Sequence, residues 1–497
     1  MHGHESREHG CGCDAGYNRR EFMTLAGLAT GAAMTVTPMA VGAAEPMPSG
    51  GAKRPARVRV AFLYPPSSVF AGNPDGWWSW PGNEFDAEGR QKQYMEALAG
   101  AQERLGVELA MNPGSIGNEQ QAETLIKTLE AERPDGLVLV MFYNNSLALA
   151  DMLLDAAAKL DIPSVFYIAL GVKHGSINVY RREGVYFIQS YENLDAIENG
   201  LRMFATRVRL GQSLLLSIDE AEERREGTES FFGIKVRVIP FREYADRFKN
   251  AELDAESQAW MKRLATEARE VRGITPESSG NALRAHLALK QLIAEEGADG
   301  VTMNCLRRGM LKPCISFSEL NSELIPAACE NDLSAAYTQL IGQLLAGRPG
   351  FQHNPAFDTE HNHYYASHCT CPARLNGPGG PANPYLLRRF AHTNEGSCAV
   401  QVFWKEGDPV TMMRYHASAE PKLDVYAGKV VTSYPMPPAG GCTTNVSIEL
   451  TDRKDACMVR GHHNLLFCGD YAHRFRTFAR LYKLPLAETG YDGPWPG

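Results

Sequence analysis

The sequence predicts an α/β protein with two doubly wound parallel-sheet domains, followed by a C-terminal antiparallel β-rich domain of barrel-like form. In the first two thirds of the chain, short apolar runs typical of buried parallel strands alternate with longer stretches typical of helices. From residue 350 onward, proline and glycine increase and short β-prone runs follow one another, which is typical of antiparallel sheets or barrels. A chain of 497 residues is also longer than one hydrophobic core normally organises, so about three domains of roughly 150 residues are expected.

The first predicted domain covers residues 56–210. It opens on an apolar run, Val-Arg-Val-Ala-Phe-Leu-Tyr, which ends at two prolines and therefore reads as a strand. Further apolar runs and helical stretches alternate after it, so right-handed crossovers are expected between parallel strands. The predicted strands are 58–64, 136–142 and 163–168, and the predicted helices are 88–105 and 146–160.

The second predicted domain, residues 211–349, repeats this alternation. Strands are predicted at 213–217, 234–240 and 300–303, and helical regions at 255–272 and 281–296. The third predicted domain, residues 350–497, changes character. Its β-prone runs are 399–404, 422–426 and 447–450, and a closing strand and helix are predicted at 464–468 and 471–482.

Charge and composition limit the classes of partner. The chain has 50 Lys and Arg against 58 Asp and Glu, a formal net charge of −8. This balance lacks the basic surface that nucleic acids require. A small neutral or cationic partner fits better. With 44% hydrophobic residues, the chain has ample apolar surface to bury, which excludes wholesale disorder.

The N-terminal segment reads as an export signal. Arg19 and Arg20 precede a weakly apolar stretch rich in Gly and Ala, which ends in small residues near Ala44. That order is typical of a twin-arginine signal peptide covering residues 1–44, with a linker at 45–55. We therefore expect passage through the twin-arginine translocase, a periplasmic or extracellular location, and no membrane segment in the mature chain, since no later run is long and apolar enough.

The cysteines do not indicate a disulfide-stapled scaffold. Of the 11 cysteines, Cys11 and Cys13 lie in the predicted signal, which leaves an odd number spread over a large body. Cys369 and Cys371 flank one residue, but no second pair stands at the spacing of a structural zinc site. Buried or partly oxidised thiols are the favoured interpretation.

Polar residues concentrate where a metal site would be expected. Glu330 and Asp332 stand at a predicted helix N-terminus, where acids also complement the helix dipole or cap the helix without further function. Imidazoles follow at His368, in the β-rich part, and at His462 and His463, before the last strand. Carboxylates and imidazoles that converge from several segments suit Mn²⁺, Fe²⁺, Co²⁺ or Zn²⁺.

Four stretches carry a family resemblance: IPAACENDLSAAYTQLIGQLLAGRPG, FDTEHNHYYASHCTCP, GPGGPANPY and RGHHNLLFCGDY. They resemble the L-fucose isomerase-like proteins, which are distantly related to L-arabinose isomerases. The resemblance implies a divalent metal, usually Mn²⁺, between the second and third domains, held by Glu330, His368 and either His462 or His463. It also implies a homo-oligomer that converts an aldose to a ketose through an ene-diol, with a carboxylate that moves the proton between the two carbons.

The relatives carry a second acid after the strand that corresponds to 300–303, where this chain has Asn304, which cannot act as a base. Asp332, two residues from Glu330, is the candidate proton shuttle in its place, which requires an irregular turn because positions two apart on a helix point to different faces. One alternative is therefore a periplasmic carbohydrate-binding or sensing protein that kept the fold and lost the base. Another is a metal-assisted elimination or epimerisation of a modified sugar. Substrate contacts are predicted for Trp77, Trp78, Asn304 and Arg307, through stacking on a pyranose face or pairing with an acidic sugar; packing is an equal alternative for the tryptophans.

Overall fold

The structure is a computed structural model that describes residues 53–69, 85–172, 178–306, 308–390 and 396–487. The predicted signal peptide, most of the predicted linker, and Trp77, Trp78 and Arg307 lie outside the described residues. All of the described residues belong to one compact unit. Within the described ranges, no helix has the length and apolar character needed to cross a bilayer.

The first part of the chain forms sheet A, with five parallel strands in the order β2-β1-β3-β4-β5. Helices cover both faces of the sheet, because alternate residues of β1 enter two different apolar clusters, one with α1 and α4 and the other with α2 and α3. The elements are β1 (Ala56–Leu63), α1 (Ala87–Leu105), β2 (Val107–Met111), α2 (Glu119–Glu132), β3 (Gly136–Met141), α3 (Leu147–Lys159), β4 (Ser164–Ala169), β5 (Val185–Ser190) and α4 (Leu194–Leu210).

The second part forms sheet B, in the order β11-β10-β6-β8-β7, which is parallel except for the edge strand β7. The chain runs outward from β6 to β8 and returns to β10 on the other side of β6, so the strand order reverses between β6 and β10. The elements are β6 (Leu214–Asp219), β7 (Arg225–Thr228), β8 (Lys235–Pro240), α5 (Phe241–Asn250), α6 (Ala255–Glu267), β9 (Glu270–Arg272), α7 (Pro276–Glu296), β10 (Gly300–Met303), α8 (Cys314–Ser322), β11 (Ala327–Cys329) and α9 (Leu333–Ala346).

The last part forms a closed antiparallel barrel in the order β12-β13-β18-β17-β16-β19. Two further strands, β14 and β15, form a small sheet to which β9 adds a parallel edge. The elements are β12 (Gly350–Asp358), β13 (His363–His368), β14 (Tyr385–Arg389), β15 (Cys398–Val402), β16 (Pro409–His416), β17 (Lys422–Ser433), β18 (Thr444–Leu450), β19 (Asn464–Cys468) and α10 (Ala472–Leu481).

The two doubly wound sheets and the closed barrel confirm the predicted fold class. The helical region predicted at 255–272 is wrong at its end, because the chain leaves the helix at Glu267 and Glu270–Arg272 pairs as a strand with β14. That pairing partner lies more than a hundred residues away in sequence, so local pattern did not indicate it. The predicted strands at 464–468 and 300–303 have the bounds that the structure gives.

Helix α9 joins sheet B to the barrel through a close contact. Its buried Gly342 faces the Phe467 ring of β19, and a Cβ atom at this position would overlap that ring. Glycine is otherwise a poor helix residue, by about 1 kcal/mol relative to alanine. The Phe467 ring of the barrel therefore leaves space only for glycine at position 342.

We expect Gly342→Ala to lower the free energy of unfolding by about 1–2 kcal/mol, because overpacking against a buried ring outweighs the gain in helix propensity. The matched control is Gly100→Ala on the exposed face of α1, where the nearest atom, on Arg104, lies 3.7 Å from the new Cβ. The control should stabilise by about 0.5–1 kcal/mol. Urea midpoints measure both variants, and stabilisation by both would contradict the packing argument.

Candidate metal centre

One carboxylate and two imidazoles meet where sheet B contacts the barrel. Oε1 of Glu330 lies 3.6 Å from Nε2 of His368, and Oε2 of Glu330 lies 3.5 Å from Nε2 of His463. One ligand atom from each of these three residues falls within 4.8 Å of the others. The His368 and His463 rings stand edge to face, with centroids 5.2 Å apart and an interplanar angle of 87°.

The site is closed on the protein side and open on one edge. The side chains of His368 and His463 are 4% and 2% exposed, whereas that of Glu330 is 25% exposed. Glu330 also follows β11 directly, at the carboxyl edge of sheet B beside the reversal in strand order. Open α/β sheets bind ligands outside this edge. The carboxylate is therefore the solvent-accessible member of the group, at the edge of the sheet where ligands bind in such folds.

A left-handed turn aims Glu330 at the imidazoles. Glu330 and Asn331 have φ angles of 63° and 54°, a region that costs non-glycine residues of the order of 1–3 kcal/mol and that Asn tolerates best. Sheet B holds the turn in place. The Asn331 amide donates to the Met303 carbonyl at 3.0 Å, and the Ser217 hydroxyl donates to Oδ1 of Asn331 at 2.8 Å.

The barrel positions the two imidazoles. His368 ends β13, where it pairs with Thr444 of β18, and His463 directly precedes β19. Gln352 of β12 then fixes the barrel to β11: its Oε1 accepts from the Cys329 amide at 2.7 Å and its Nε2 donates to the Cys329 carbonyl at 3.3 Å. These two bonds set the position of Glu330, the next residue, relative to both histidines.

Asp332 orients His463 and also caps a helix. Its Oδ1 accepts from the Ala335 amide at 2.9 Å at the N-terminus of α9. Its Oδ2 lies 3.1 Å from Nδ1 of His463 and accepts from the His463 amide at 3.2 Å. The guanidinium of Arg414 lies 3.4 Å from Oδ2 and also donates to the His463 carbonyl. Both oxygens of Asp332 are therefore engaged.

Gly461 makes room for Arg414. Its φ of 95° lies in the region that favours glycine, and a Cβ atom there would lie 2.5 Å from Cδ of Arg414. The glycine in the Arg-Gly-His-His stretch therefore lets the arginine pass close to the backbone that carries His463. Arg414 is half-buried on β16, within reach of both Asp332 and His463.

The imidazoles keep both acids ionised. The pKa of Glu330 is lowered to about 2, first by His368 and then by His463, against the opposing effect of burial. Burial alone would raise the pKa of Asp332, but the hydrogen bond with His463 and the charge of Arg414 outweigh it, and the pKa of Asp332 lies well below its ordinary value. Both carboxylates are therefore charged at neutral pH.

The neighbouring groups in turn favour the protonated form of the two site histidines, His368 and His463. Burial opposes their protonation, but interactions with Cys329 and Glu330 raise the pKa of His368 well above 6.5, and those with Asp332 and Glu330 raise the pKa of His463.

His353, inside the barrel, behaves oppositely because burial lowers its pKa to about 3. Its ring lies 2.9 Å from the Phe351 carbonyl and 2.9 Å from the Tyr364 hydroxyl.

The structure brings some of the predicted residues together and leaves others apart. Glu330, His368 and His463 converge, with Asp332 beside them. The His462 side chain is exposed and contacts the site through the His463 ring, at a centroid distance of 4.2 Å. Asn304 directly follows β10, whose Met303 pairs with Cys329, so Asn304 and Glu330 stand at the same level beyond the ends of neighbouring parallel strands. Trp77, Trp78 and Arg307 lie outside the described residues.

Sequence reasoning missed Arg414 and Gln352. A signal existed for Arg414, because it is the one charged residue in the apolar run Pro-Val-Thr-Met-Met-Arg-Tyr-His of β16. Gln352 gave no such signal, because polar residues follow it in the run Gly-Phe-Gln-His-Asn-Pro of β12 and its burial to 2% exposure is visible only in the structure. Both act by holding backbone that carries a converging side chain.

Comparisons with known proteins do not place the chain in a family. No family model matches it, and no curated protein matches it. One solved structure that it is similar to is that of a sugar ABC transporter sugar-binding protein from Bacillus halodurans, at 12% identity and a TM-score of 0.15. That match covers 61% of this chain and 90% of the other.

We expect the imidazole pKa values in metal-free protein to follow this geometry. His368 and His463 should titrate above pH 6.5 and His353 far below it. Glu330→Gln removes the negative charge that both site histidines share, so the pKa values of His368 and His463 should fall, whereas Glu360→Gln, at an exposed acid, should leave them unchanged. ¹H–¹⁵N NMR titration of the imidazole nitrogens measures this, and equal pKa values in both variants would contradict the assigned contacts.

Proposed function

We propose that Glu330, His368 and His463 bind one divalent cation. The observation that carries this proposal is the convergence of one carboxylate and two imidazoles from separate segments, with their ligand atoms within 4.8 Å. Mixed oxygen and nitrogen ligands suit Mn²⁺, and also Fe²⁺, Co²⁺ and Zn²⁺. Exposure of Glu330 on one edge leaves coordination positions for a substrate, as catalytic sites require.

A buried ring nitrogen without a hydrogen bond supports the fit. Nε2 of His463 is buried and makes no hydrogen bond within the described part of the chain. The Glu330 carboxylate faces this nitrogen at 3.5 Å without a well-formed hydrogen bond, and a cation bound between the two groups would be coordinated by both. Asp332 at Nδ1 of the same ring fixes its orientation, which is the arrangement that metal-bound histidines commonly show.

We further propose that the protein is a metal-dependent sugar isomerase-like enzyme that interconverts an aldose and a ketose through an ene-diol. The resemblance to L-fucose isomerase-like proteins supports this, together with the open carboxyl edge of sheet B beside Glu330. A divalent cation, expected to be Mn²⁺, would polarise the carbonyl and hydroxyl at C1 and C2. Asn304, level with Glu330 at the end of the neighbouring strand, would offer hydrogen bonds to sugar hydroxyls.

Two further parts of this proposal concern the whole protein. Export by the twin-arginine route, with the protein working in the periplasm or outside the cell, rests on Arg19, Arg20 and the stretch that follows them. Assembly as a homo-oligomer rests on the family resemblance. Light scattering and cell fractionation test these two parts.

The engagement of Asp332 favours a second candidate function. Ene-diol chemistry needs a base that is free to accept a proton. Asp332 is the candidate base in our proposal, but its oxygens already accept from Ala335 and His463, so it would have to release one of these hydrogen bonds to take the C2 proton and return it at C1. With Asn304 in place of the expected second acid, a metal-dependent carbohydrate-binding protein without turnover is the alternative.

We expect the purified protein to bind about one Mn²⁺ per chain and Glu330→Gln to lose it, since the variant removes the anionic ligand. The control is Glu360→Gln, which should bind like the wild type. Affinity should fall as pH decreases, beginning above pH 6.5, because protons compete for His368 and His463 whose pKa values are raised. Calorimetry at several pH values measures both effects. Full Mn²⁺ binding by Glu330→Gln would refute the assigned ligand set.

Asp332→Asn separates positioning from helix capping. Asparagine caps helices about as well as aspartate, so α9 should survive, but the amide cannot satisfy both His463 groups that Oδ2 serves. We expect Mn²⁺ affinity to fall by about 10–100-fold, as for other outer partners of metal-bound histidines, with little change in the unfolding midpoint. Unchanged affinity with normal folding would remove Asp332 from the site.

Product analysis separates the two candidate functions. The Mn²⁺-loaded protein is incubated in D₂O with a panel of aldoses, ketoses and uronates and followed by NMR. Isomerisation through an ene-diol should give the ketose with deuterium at C1. Binding detected by calorimetry without product would support the carbohydrate-binding alternative, and elimination or epimerisation products would replace the isomerase proposal.

A further inference from the structure

A group of thiols lies against the other side of the His368 ring. Nδ1 of His368 lies 3.7 Å from Sγ of Cys369, whereas Nε2 of the same ring faces Glu330. Cys329, His368 and Cys369 each place one ligand atom within 4.8 Å of the others, and all three residues are buried. This triad is distinct from the Glu330, His368 and His463 group and uses the opposite ring nitrogen.

Two further cysteines extend the triad. Cys305 and Cys314 pack in the same buried cluster as Cys329 and Cys369. All four cysteines are buried and none forms a disulfide. They come from the loop after β10, the start of α8, the end of β11 and the loop after β13, so the tertiary structure gathers them from four separate segments.

We propose that Cys329, Cys369 and His368 bind a soft metal ion, Zn²⁺ or Cu⁺, with Cys305 or Cys314 as a further thiolate ligand. Sulfur ligands select these ions over Mn²⁺ or Mg²⁺. Burial of every ligand closes the coordination shell, which is typical of a structural ion. The ion would join β11 and β10 of sheet B to β13 of the barrel and would hold the His368 ring from the side opposite Glu330.

The proposal does not depend on the function proposed above, because the two sites share only the His368 ring and each has its own anionic ligands. Filling both sites at once would require the ring to lose its N–H proton and bridge the two ions as an imidazolate. Full-length protein reduced under anaerobic conditions is loaded with Zn²⁺ alone, Cu⁺ alone or Co²⁺ as a spectroscopic probe. For the Zn²⁺ protein, X-ray absorption should give at least two sulfur ligands at about 2.3 Å. A first shell of nitrogen and oxygen only, at about 2.0–2.1 Å, would overturn the proposal without touching the Glu330 site.

Variants test the same claim in parallel. The thiolate-to-cobalt charge-transfer band should be present in the wild type and in Glu330→Gln, and lost in the double variant Cys329→Ser/Cys369→Ser, which should still bind Mn²⁺. The matched control is Cys371→Ser, because Cys371 is also fully buried but packs in a different apolar cluster, and it should keep the band. If the double variant does not fold, X-ray absorption of the wild type decides. Retention of the band in a folded double variant would overturn the proposal.

Discussion

Two hydrogen bonds from the Gln352 side chain to the Cys329 backbone join the edge of sheet B to the barrel. Strand β11 has only three residues and pairs with one neighbour, β10, so without an outside partner its free edge would leave backbone groups unsatisfied. The glutamine amide supplies one donor and one acceptor and completes that edge. The candidate metal centre depends on this junction because Glu330 follows β11 and both imidazoles belong to the barrel.

The junction also explains why an unfavourable backbone is retained. Successive left-handed residues at Glu330 and Asn331 persist only where the surroundings determine them from several sides. Here Met303 and Ser217 hold Asn331 from sheet B, and Asp332 anchors the start of α9. The turn directs Glu330 toward the barrel and Asp332 toward His463. Two acids that are two positions apart therefore both reach the His463 ring, which a regular helix would not allow.

His368 links the two proposed metal sites. Its Nε2 faces a carboxylate, a hard oxygen ligand, and its Nδ1 faces thiols, which are soft ligands. One ring therefore separates two environments of different metal preference. The difference in exposure follows the same division, since Glu330 reaches the surface and the thiols are buried.

Much of the fold follows from the sequence alone, because apolar runs and helical stretches alternate through the parallel sheets and give way to short strands in the barrel. The residue types of the site were also readable: Glu330, His368 and the paired histidines stand out as polar groups at predicted element ends. Helix capping by an acid at residue 332 was predictable from local rules as well. Each of these signals depends on residues close together in the chain, so it can be predicted from the sequence.

Tertiary structure alone decided the rest. It selected His463 over His462, engaged both oxygens of Asp332 and brought Arg414 from β16 to the same point. It also paired β9 with β14 and gathered thiols that sequence spacing gave no reason to connect. Each of these depends on contacts between segments far apart in the chain, and such contacts leave no periodicity or spacing in the sequence.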